Sequence, residues 1–470
     1  MNINRSLCSV YIVTGFIVVL STVGLCPAQE DIFFLGNPMG VGIKALSMGG
    51  AYVAVADNNS ATYWNPAGLG QLRRMEMNVD FTHNKAASAS TFLDNKTQSN
   101  HTYTRLNSVG FSYPIPTYQG SLVLSAAYNK VRDFDDNIEI KGFNSAYSPF
   151  PDYFSQSNPE NYYTDITGSL FQSESVVHSG SLNHFTLAGA VEVAPNFYTG
   201  ISVNFISGTD ERSLEFSERD INNIYNTPPS PLDTPGDTLI SDIDKWQYWE
   251  YLTSKYSGTG FKIGALYRMG ELVRLGATVT PPLRLKITEN WSDYWTEIYD
   301  DGFTVNVPAE PAQWDYTVEE PFAFEAGASV KILNILLSGA VEFQDWAQAK
   351  FKSDPPVENV NKGEINSRIQ KDLKATTKFR LGTEVTIPLI RARLNAGYFY
   401  NPSPYRYEKV DSDRNTVTGG FSFQAGRQSL VTLGVAQTMW KMQTVDHLTM
   451  DPALEDKTTT SFYAGLTVRF

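Results

Sequence analysis

Cysteine is nearly missing: two in 470 residues, Cys8 and Cys26, both close to the N-terminus. Cleavage after Ala28 removes both, so no disulfide framework holds the rest of the chain. Charge is sparse too. Asp, Glu, Lys and Arg supply 19% of residues, and the formal net charge is −13. No basic stripe offsets that acidity, which excludes a generic nucleic-acid binder. Long apolar runs are absent with one exception, and mean hydropathy is −0.26. A polytopic helical membrane protein is thereby excluded. The five histidines are scattered without zinc-ligand spacing, and no GxSxG elbow occurs. Asp133, Asp135 and Asp136 lack the EF-hand pattern and read as a solvated acidic loop, with calcium as the alternative. Neither catalysis nor a metal or cofactor is expected.

What is present is 42% apolar residues, enough for a core, with 25 Tyr, 27 Phe and 34 Gly. The one apolar run is Val10 to Leu25. Arg5 precedes it, and Cys26-Pro27-Ala28 follows. This is the pattern of an export signal over residues 1–28. A membrane anchor suits it less, because polar residues and Pro27 come at once. A lipid attachment at Cys26 suits it less, because Leu25 stands where a small residue is wanted.

Period-two alternation recurs after residue 73. In Phe462–Phe470 the apolar Phe462, Ala464, Leu466, Val468 and Phe470 share one face. Fourteen such runs can be drawn, near 74–84, 104–115, 119–131, 181–194, 197–208, 255–269, 271–287, 316–332, 334–350, 374–387, 390–400, 415–426, 429–441 and 458–470. Tiny gaps between them alternate with long polar ones. Strict alternation predicts an all-β, 14-stranded antiparallel transmembrane barrel with short periplasmic turns and long outer loops. The apolar faces then meet outer-membrane lipid. The charges Glu342, Lys378, Arg380, Glu384, Arg391 and Arg393 then form a paired network in the lumen, since each would cost several kcal/mol in lipid. Tyr113, Tyr128, Tyr267, Tyr398, Tyr400 and Trp440 suit interfacial girdles. Phe470, a terminal aromatic on an alternating strand, is expected to be read by the assembly machinery.

Residues 29–73 are different. Gly40 to Gly50 permits close backbone contacts, and Ala45 to Val55 offers a small apolar surface. Asn65-Pro66 starts a turn that Gly68 can cap. No P-loop lysine or GxGxxG spacing turns these glycines into a nucleotide site. A small-residue segment of this kind suits a plug folded into a lumen.

"GIKALSMGGAYVAVADNNSATYWNPAGL" (Gly42 to Leu69) resembles the N-terminal hatch of the FadL-like outer-membrane transporter superfamily. That superfamily takes up long-chain fatty acids and aromatic hydrocarbons and includes PorV-like relatives in protein secretion. "GATVTPPLRLK" (Gly276 to Lys286) is similar to a family strand ending in a Pro turn, and the terminal strand with Phe470 matches as well. The resemblance implies a signal peptide over 1–28, a hatch over 29–73 and a barrel over 74–470. It implies gating residues at Gly49, Gly50, Asn65, Pro66, Ala67 and Gly68. It also implies passive uptake of a small hydrophobic ligand, or else a PorV-like carrier role with secreted proteins as partners. A soluble exported polysaccharide-binding protein is the third class. The long gaps 132–180 and 209–254 are more polar than a fatty-acid capture groove. Their aromatics include Phe143, Phe150, Tyr153, Phe154, Tyr162, Tyr163, Trp246 and Tyr248. No proline in Gly120 to Val131 marks the strand distortion on which the family's lateral exit depends.

Overall fold

The computed structural model describes residues 37–38 and 40–470, apart from 146, 150–168, 226–242, 309–310, 357–359, 446–447 and 450. The expected export signal, most of residues 29–39, and the aromatics Phe150, Tyr153, Phe154, Tyr162 and Tyr163 lie outside them.

Alternation makes the wall. Its strands are β1 (Glu76–Phe92), β2 (Asn95–Ile115), β3 (Leu122–Asp133, continued by Asp136–Asn144), β4 (Leu170–Ala194) and β5 (Phe197–Arg219). There follow β6 (Ile243–Met269), β7 (Val273–Thr280, continued by Leu283–Tyr299) and β8 (Thr304–Pro308, Ala312–Glu320 and Ala323–Ile332). The rest are β9 (Ile335–Asp345), β10 (Ala375–Ile387), β11 (Ala392–Asn401), β12 (Arg414–Gln424), β13 (Ser429–Val445) and β14 (Pro452–Arg469). Each strand pairs antiparallel with the next, and β14 pairs with β1 from Arg469↔Glu76 to Leu454↔Thr91. The ring is therefore a closed barrel of 14 strands, as the alternation predicts. Closure leaves no sheet edge, so the cysteine-free wall needs no covalent staple.

The outer face is apolar. Phe324, Leu337, Leu381, Phe462 and Leu466 are exposed, while their chain neighbours Glu325, Ser338, Arg380 and Tyr463 are buried on the other side. Tyr113, Tyr128, Tyr267 and Tyr398 are on the exposed face as well, suiting the rim of a lipid belt. This is the architecture of a bacterial outer-membrane protein, with the short turns at the periplasmic end.

Most of the long polar gaps are not loops. The gap near 85–103 is a hairpin, in which β1 and β2 run on to a two-residue turn, Leu93-Asp94, with both residues at positive φ (46° and 63°). Strands β4 to β7 extend likewise, with β5 and β6 paired from Phe197↔Tyr267 to Arg219↔Lys245. Beyond the membrane the outer face meets water instead of lipid, so its apolar alternation disappears although the backbone ladder continues. Pro281-Pro282 interrupts β7 without ending it, since proline removes donors and the ladder resumes at Leu283. A helix, α3 (Lys362–Asp372; α1 is Ile43–Ser47 and α2 Ala61–Trp64), fills the gap after β9 and buries Ile365 and Ile369. Asn361 caps α3 through the Gly363 and Glu364 amides.

Leu381→Arg places a charge on the lipid face of β10, where Leu381 is 60% exposed. It is expected to cost about 2–4 kcal/mol if the site is near the bilayer midplane, read as a lower denaturant midpoint in liposomes.

Candidate ligand path

Residues Gly40–Leu72 lie against the inner face of the wall. They contain α1 (Ile43–Ser47), α2 (Ala61–Trp64) and a 3₁₀ turn over Pro66–Gln71. None of the three is long enough to be stable alone. They are held by contact with the strands, and Ala45, Met48, Tyr52, Val55, Ala61 and Leu69 are buried.

The wall accepts this segment at places without side chains. Four cross-strand pairs are glycine opposite glycine: Gly200 with Gly264, Gly276 with Gly327, Gly382 with Gly397, and Gly420 with Gly434. A side-chain carbon on Gly397 would stand 2.2 Å from Gly49 N, and one on Gly276 would stand 2.3 Å from Val53 O. Backbone thus meets backbone. Gly49 and Gly50 both adopt positive φ (61° and 71°), turning the segment along the wall. Gly49 N donates to Thr418 Oγ1 (3.0 Å), and Thr418 Oγ1 donates to Ser47 O (2.9 Å). Ser338 Oγ donates to Ala51 O (2.7 Å).

The Asn65-Pro66-Ala67-Gly68 turn is anchored similarly. Asn65 Nδ2 donates to Val53 O (2.8 Å) and to Ala265 O on β6 (3.0 Å), and its Oδ1 accepts from Ala67 N (3.1 Å). Pro66 opens the 3₁₀ turn. A side-chain carbon on Gly68 would strike Ala56 O at 2.2 Å.

The expected charge network is two clusters plus an outlier. Arg380 bridges Glu325 (2.9 Å) and Glu342 (2.8 Å), and Lys378 pairs with Glu342 (2.8 Å). The Arg380 guanidinium also lies 5.6 Å from the Trp64 ring centre. Glu384 instead receives Lys44 of the inner segment at 3.1 Å and Arg393 at 3.9 Å. Arg391 belongs to neither cluster. It is exposed in the β10–β11 turn, in a left-handed conformation with φ 51°. Counting alternation across 390–400 put Arg391 in a strand, but Pro388 starts a 3₁₀ turn and β11 begins at Ala392. Phe470 ends the chain with its amide donating to Met75 O (3.0 Å) and its ring exposed.

Lys44 also donates to Asp57, and Tyr52 Oη donates to Asp57 Oδ1 (2.6 Å). Burial by itself would raise the Asp57 pKa. The Lys44 ammonium and Tyr52 hydroxyl outweigh it, holding the carboxyl well below its ordinary 3.8. Burial, then Glu342, pushes the Tyr63 hydroxyl up to about 12.

Above the segment, the interior is apolar. Val41 and Tyr63 of the segment join one cluster with Phe134, Tyr256, Tyr316, Trp346, Phe351 and Ile365. The rings of Phe134 and Tyr256 are 5.6 Å apart, and those of Tyr316 and Phe351 are 5.8 Å apart. Trp246 and Tyr248 lie in a second cluster farther out, with Phe216 and Trp295.

The wall has a break beside this region. The β2–β3 ladder stops at Ser108↔Asn129. Beyond it, Arg132 and Asp133 pair with Pro38 and Asn37. The β3–β4 register shifts between Lys130 and Arg132. No proline lies within residues 122–133 of β3 itself. Asp135 N donates to Asp133 Oδ1 (3.2 Å) where β3 is interrupted between Asp133 and Asp136. Arg105 on β2 reaches across to Asp135 (2.9 Å), and Lys130 pairs with Asp133 (2.8 Å). The acidic cluster is thus a structured seam in the wall, not a solvated loop.

This fold has solved counterparts. The Pseudomonas putida toluene transporter TodX superposes with a TM-score of 0.56 at 14% identity, over 92% of this chain and 99% of that one. A Pseudomonas aeruginosa FadL homologue gives 0.56 at 12% identity, over 93% and 98%. The Ralstonia pickettii toluene transporter TbuX gives 0.53 at 14%, over 92% and 99%. The chain has the FadL-like fold. No family model and no curated protein matches its sequence. The FadL-like likeness therefore rests on shape, and on the quoted stretch from Gly42 to Leu69.

Asn59, in the segment's Asp57-Asn58-Asn59 run, escaped the sequence reading. Its amide N donates to Glu76 Oε1 (2.7 Å), and its Nδ2 donates to Ser112 and Ser125 (2.7 and 2.9 Å). Nothing local distinguishes it from Asn58.

Gly397→Leu is expected to dislodge the segment while leaving the outer face unchanged. Residues 27–470 contain no cysteine, so with Cys8 and Cys26 replaced by serine an added Ala54→Cys reports this: maleimide labelling should speed up by at least about tenfold. Asp57 gives a pH dependence. Its carboxyl is held below 3.8, so its stabilising contribution is complete above that pH and fades as pH falls through the lower folded value. The Tm difference between the wild type and Asp57→Asn, open at pH 6, should narrow below about pH 4.

Proposed function

We propose that the protein is a passive outer-membrane channel for a small hydrophobic compound. The observation that carries this reading is the aromatic cluster around Tyr256, Tyr316 and Phe351, which continues down to Val41 and Tyr63 of the inner segment. Apolar linings with a few fixed polar groups are the usual form of small-molecule sites. Two of the solved proteins with this fold are toluene transporters by name. In this reading Gly40–Leu72 acts as a hatch. The Gly49-Gly50 bend and the Asn65-Pro66-Ala67-Gly68 turn are its pivots, and Lys44 with Glu384 is its latch. The β2–β3 break, bridged by Arg105 and Asp135, is the lateral exit. Ring-rich lining favours a ligand with flat apolar surface over a saturated chain.

The test is uptake by proteoliposomes, with toluene and a long-chain fatty acid as separate probes. Ile365→Lys puts a charge among the buried residues of the cluster. It is expected to cut uptake at least about tenfold while heat-modifiable migration on gels persists. Unchanged uptake, or no uptake of either probe by the wild type, defeats the reading.

A further inference from the structure

The outer face of β6, β7 and β8 changes character twice beyond the lipid belt. On β6 the outward residues Tyr267, Ile263 and Phe261 are apolar and exposed. The next outward positions, Thr259, Ser257, Lys255 and Thr253, are polar. Aromatics then return with Tyr251 and Trp249. Trp249 lies opposite Tyr294 of β7, their rings 4.7 Å apart and nearly parallel at 14°. The Tyr251 ring is 6.3 Å from that of Tyr294, at 15°. Tyr251 and Tyr294 are 45% and 38% exposed. Ten residues of β6 separate Tyr251 from Phe261, which at the rise of a strand is about 33 Å along the chain. These rings therefore stand clear of the lipid and are no part of its aromatic rim.

Between belt and rings lies an excess of positive charge. Glu319 of β8 is surrounded by three cations: Arg284 of β7 at 2.6 Å, Lys350 at 3.1 Å and Lys352 at 3.7 Å. Lys286 stands 3.7 Å from Asp315. Lys255 projects from β6 at the outward position next to Ser257, the partner of Lys286. Five cations thus share two carboxylates, in a chain whose net charge is −13. The side chains of Arg284, Lys286 and Lys350 remain 67%, 59% and 46% exposed. Like charges held this close repel, so the patch draws in an anion. Negative charge sits higher up, with Glu215 of β5 opposite Trp249.

From this we infer that the outer face of β6 to β8 docks the phosphorylated saccharide of an outer-leaflet glycolipid, of the lipopolysaccharide type. The face continues the lipid-facing wall upward, so the layer beside it is the head-group layer of the same leaflet. Phosphates lie at the border of that layer, level with Arg284, Lys286 and Lys350. A guanidinium takes a phosphate through two parallel donors, and the lysines add point charges. Sugar units farther out reach the ring stack. One face of a pyranose is made of C–H groups, which suits the electron-rich face of Tyr251 or Tyr294. Thr253, Asn290 and Ser292 flank the rings and offer partners to its hydroxyls. The site lies outside the barrel and does not rest on the uptake reading.

The full chain, delipidated in detergent, is titrated with rough lipopolysaccharide and, separately, with phosphatidylglycerol, which carries a phosphate but no saccharide. The wild type is expected to bind lipopolysaccharide at least about tenfold more tightly, with an affinity that falls as salt is raised. Arg284→Gln with Lys350→Gln should weaken lipopolysaccharide binding at least about tenfold. Tyr251→Ala with Tyr294→Ala should reduce it to the level of phosphatidylglycerol. Heat-modifiable migration on gels confirms that each variant is assembled, and the salt series on the wild type keeps the test open if one is not. Equal affinity of the wild type for the two lipids overturns the site, as does an affinity that ignores salt. So does either assembled variant binding lipopolysaccharide as tightly as the wild type.

Discussion

A second stretch of backbone must lie flat on the inside of the wall, and the rest of the molecule follows from that demand. Side chains normally fill a barrel of moderate size. Here they are withheld where the inner segment touches: Gly382 beside Gly397 under Met48 and Gly49, and Gly276 beside Gly327 under Val53. Glycine weakens a strand, because it loses the most conformational freedom and offers nothing to pack. Placing glycines in opposed pairs concentrates that weakness on the inner surface. Hydrogen bonds such as Thr418 to Ser47 and Asn65 to Ala265 then offset it.

Electrostatics divides the interior. Arg380 and Lys378 balance Glu325 and Glu342, two cations against two carboxylates, and Lys44 spans Asp57 and Glu384. Removing one member of a buried pair strands its partner, typically at 3–5 kcal/mol. These groups therefore fix the position of the segment more than they add net stability. Above them the interior becomes aromatic and apolar. The segment thus touches both the charged clusters of the wall and the apolar aromatic cluster.

The sequence made the membrane-crossing part legible and left much of the rest obscure. Strands such as β10 and β14 alternate because one face meets lipid, and that periodicity located all fourteen. The outer hairpins lack an apolar face, so residues 85–103 looked like a loop although they form a continuous ladder. The β3 break was invisible because residues 122–133 carry no proline or glycine to mark it. The glycine pairs join residues far apart in the chain, such as Gly276 and Gly327, and no local pattern announces them. Arg391 was misplaced by a boundary error of two residues, since the run drawn from 390 becomes a strand only at Ala392.

The pairing of β14 with β1 has a topological consequence for biogenesis. The wall can be completed only when its last strand meets its first. The inner segment directly precedes β1, yet it must end up surrounded. Its helices are too short to hold alone, so the segment takes its shape only against the wall, and the glycine pairs are the surface on which it is laid.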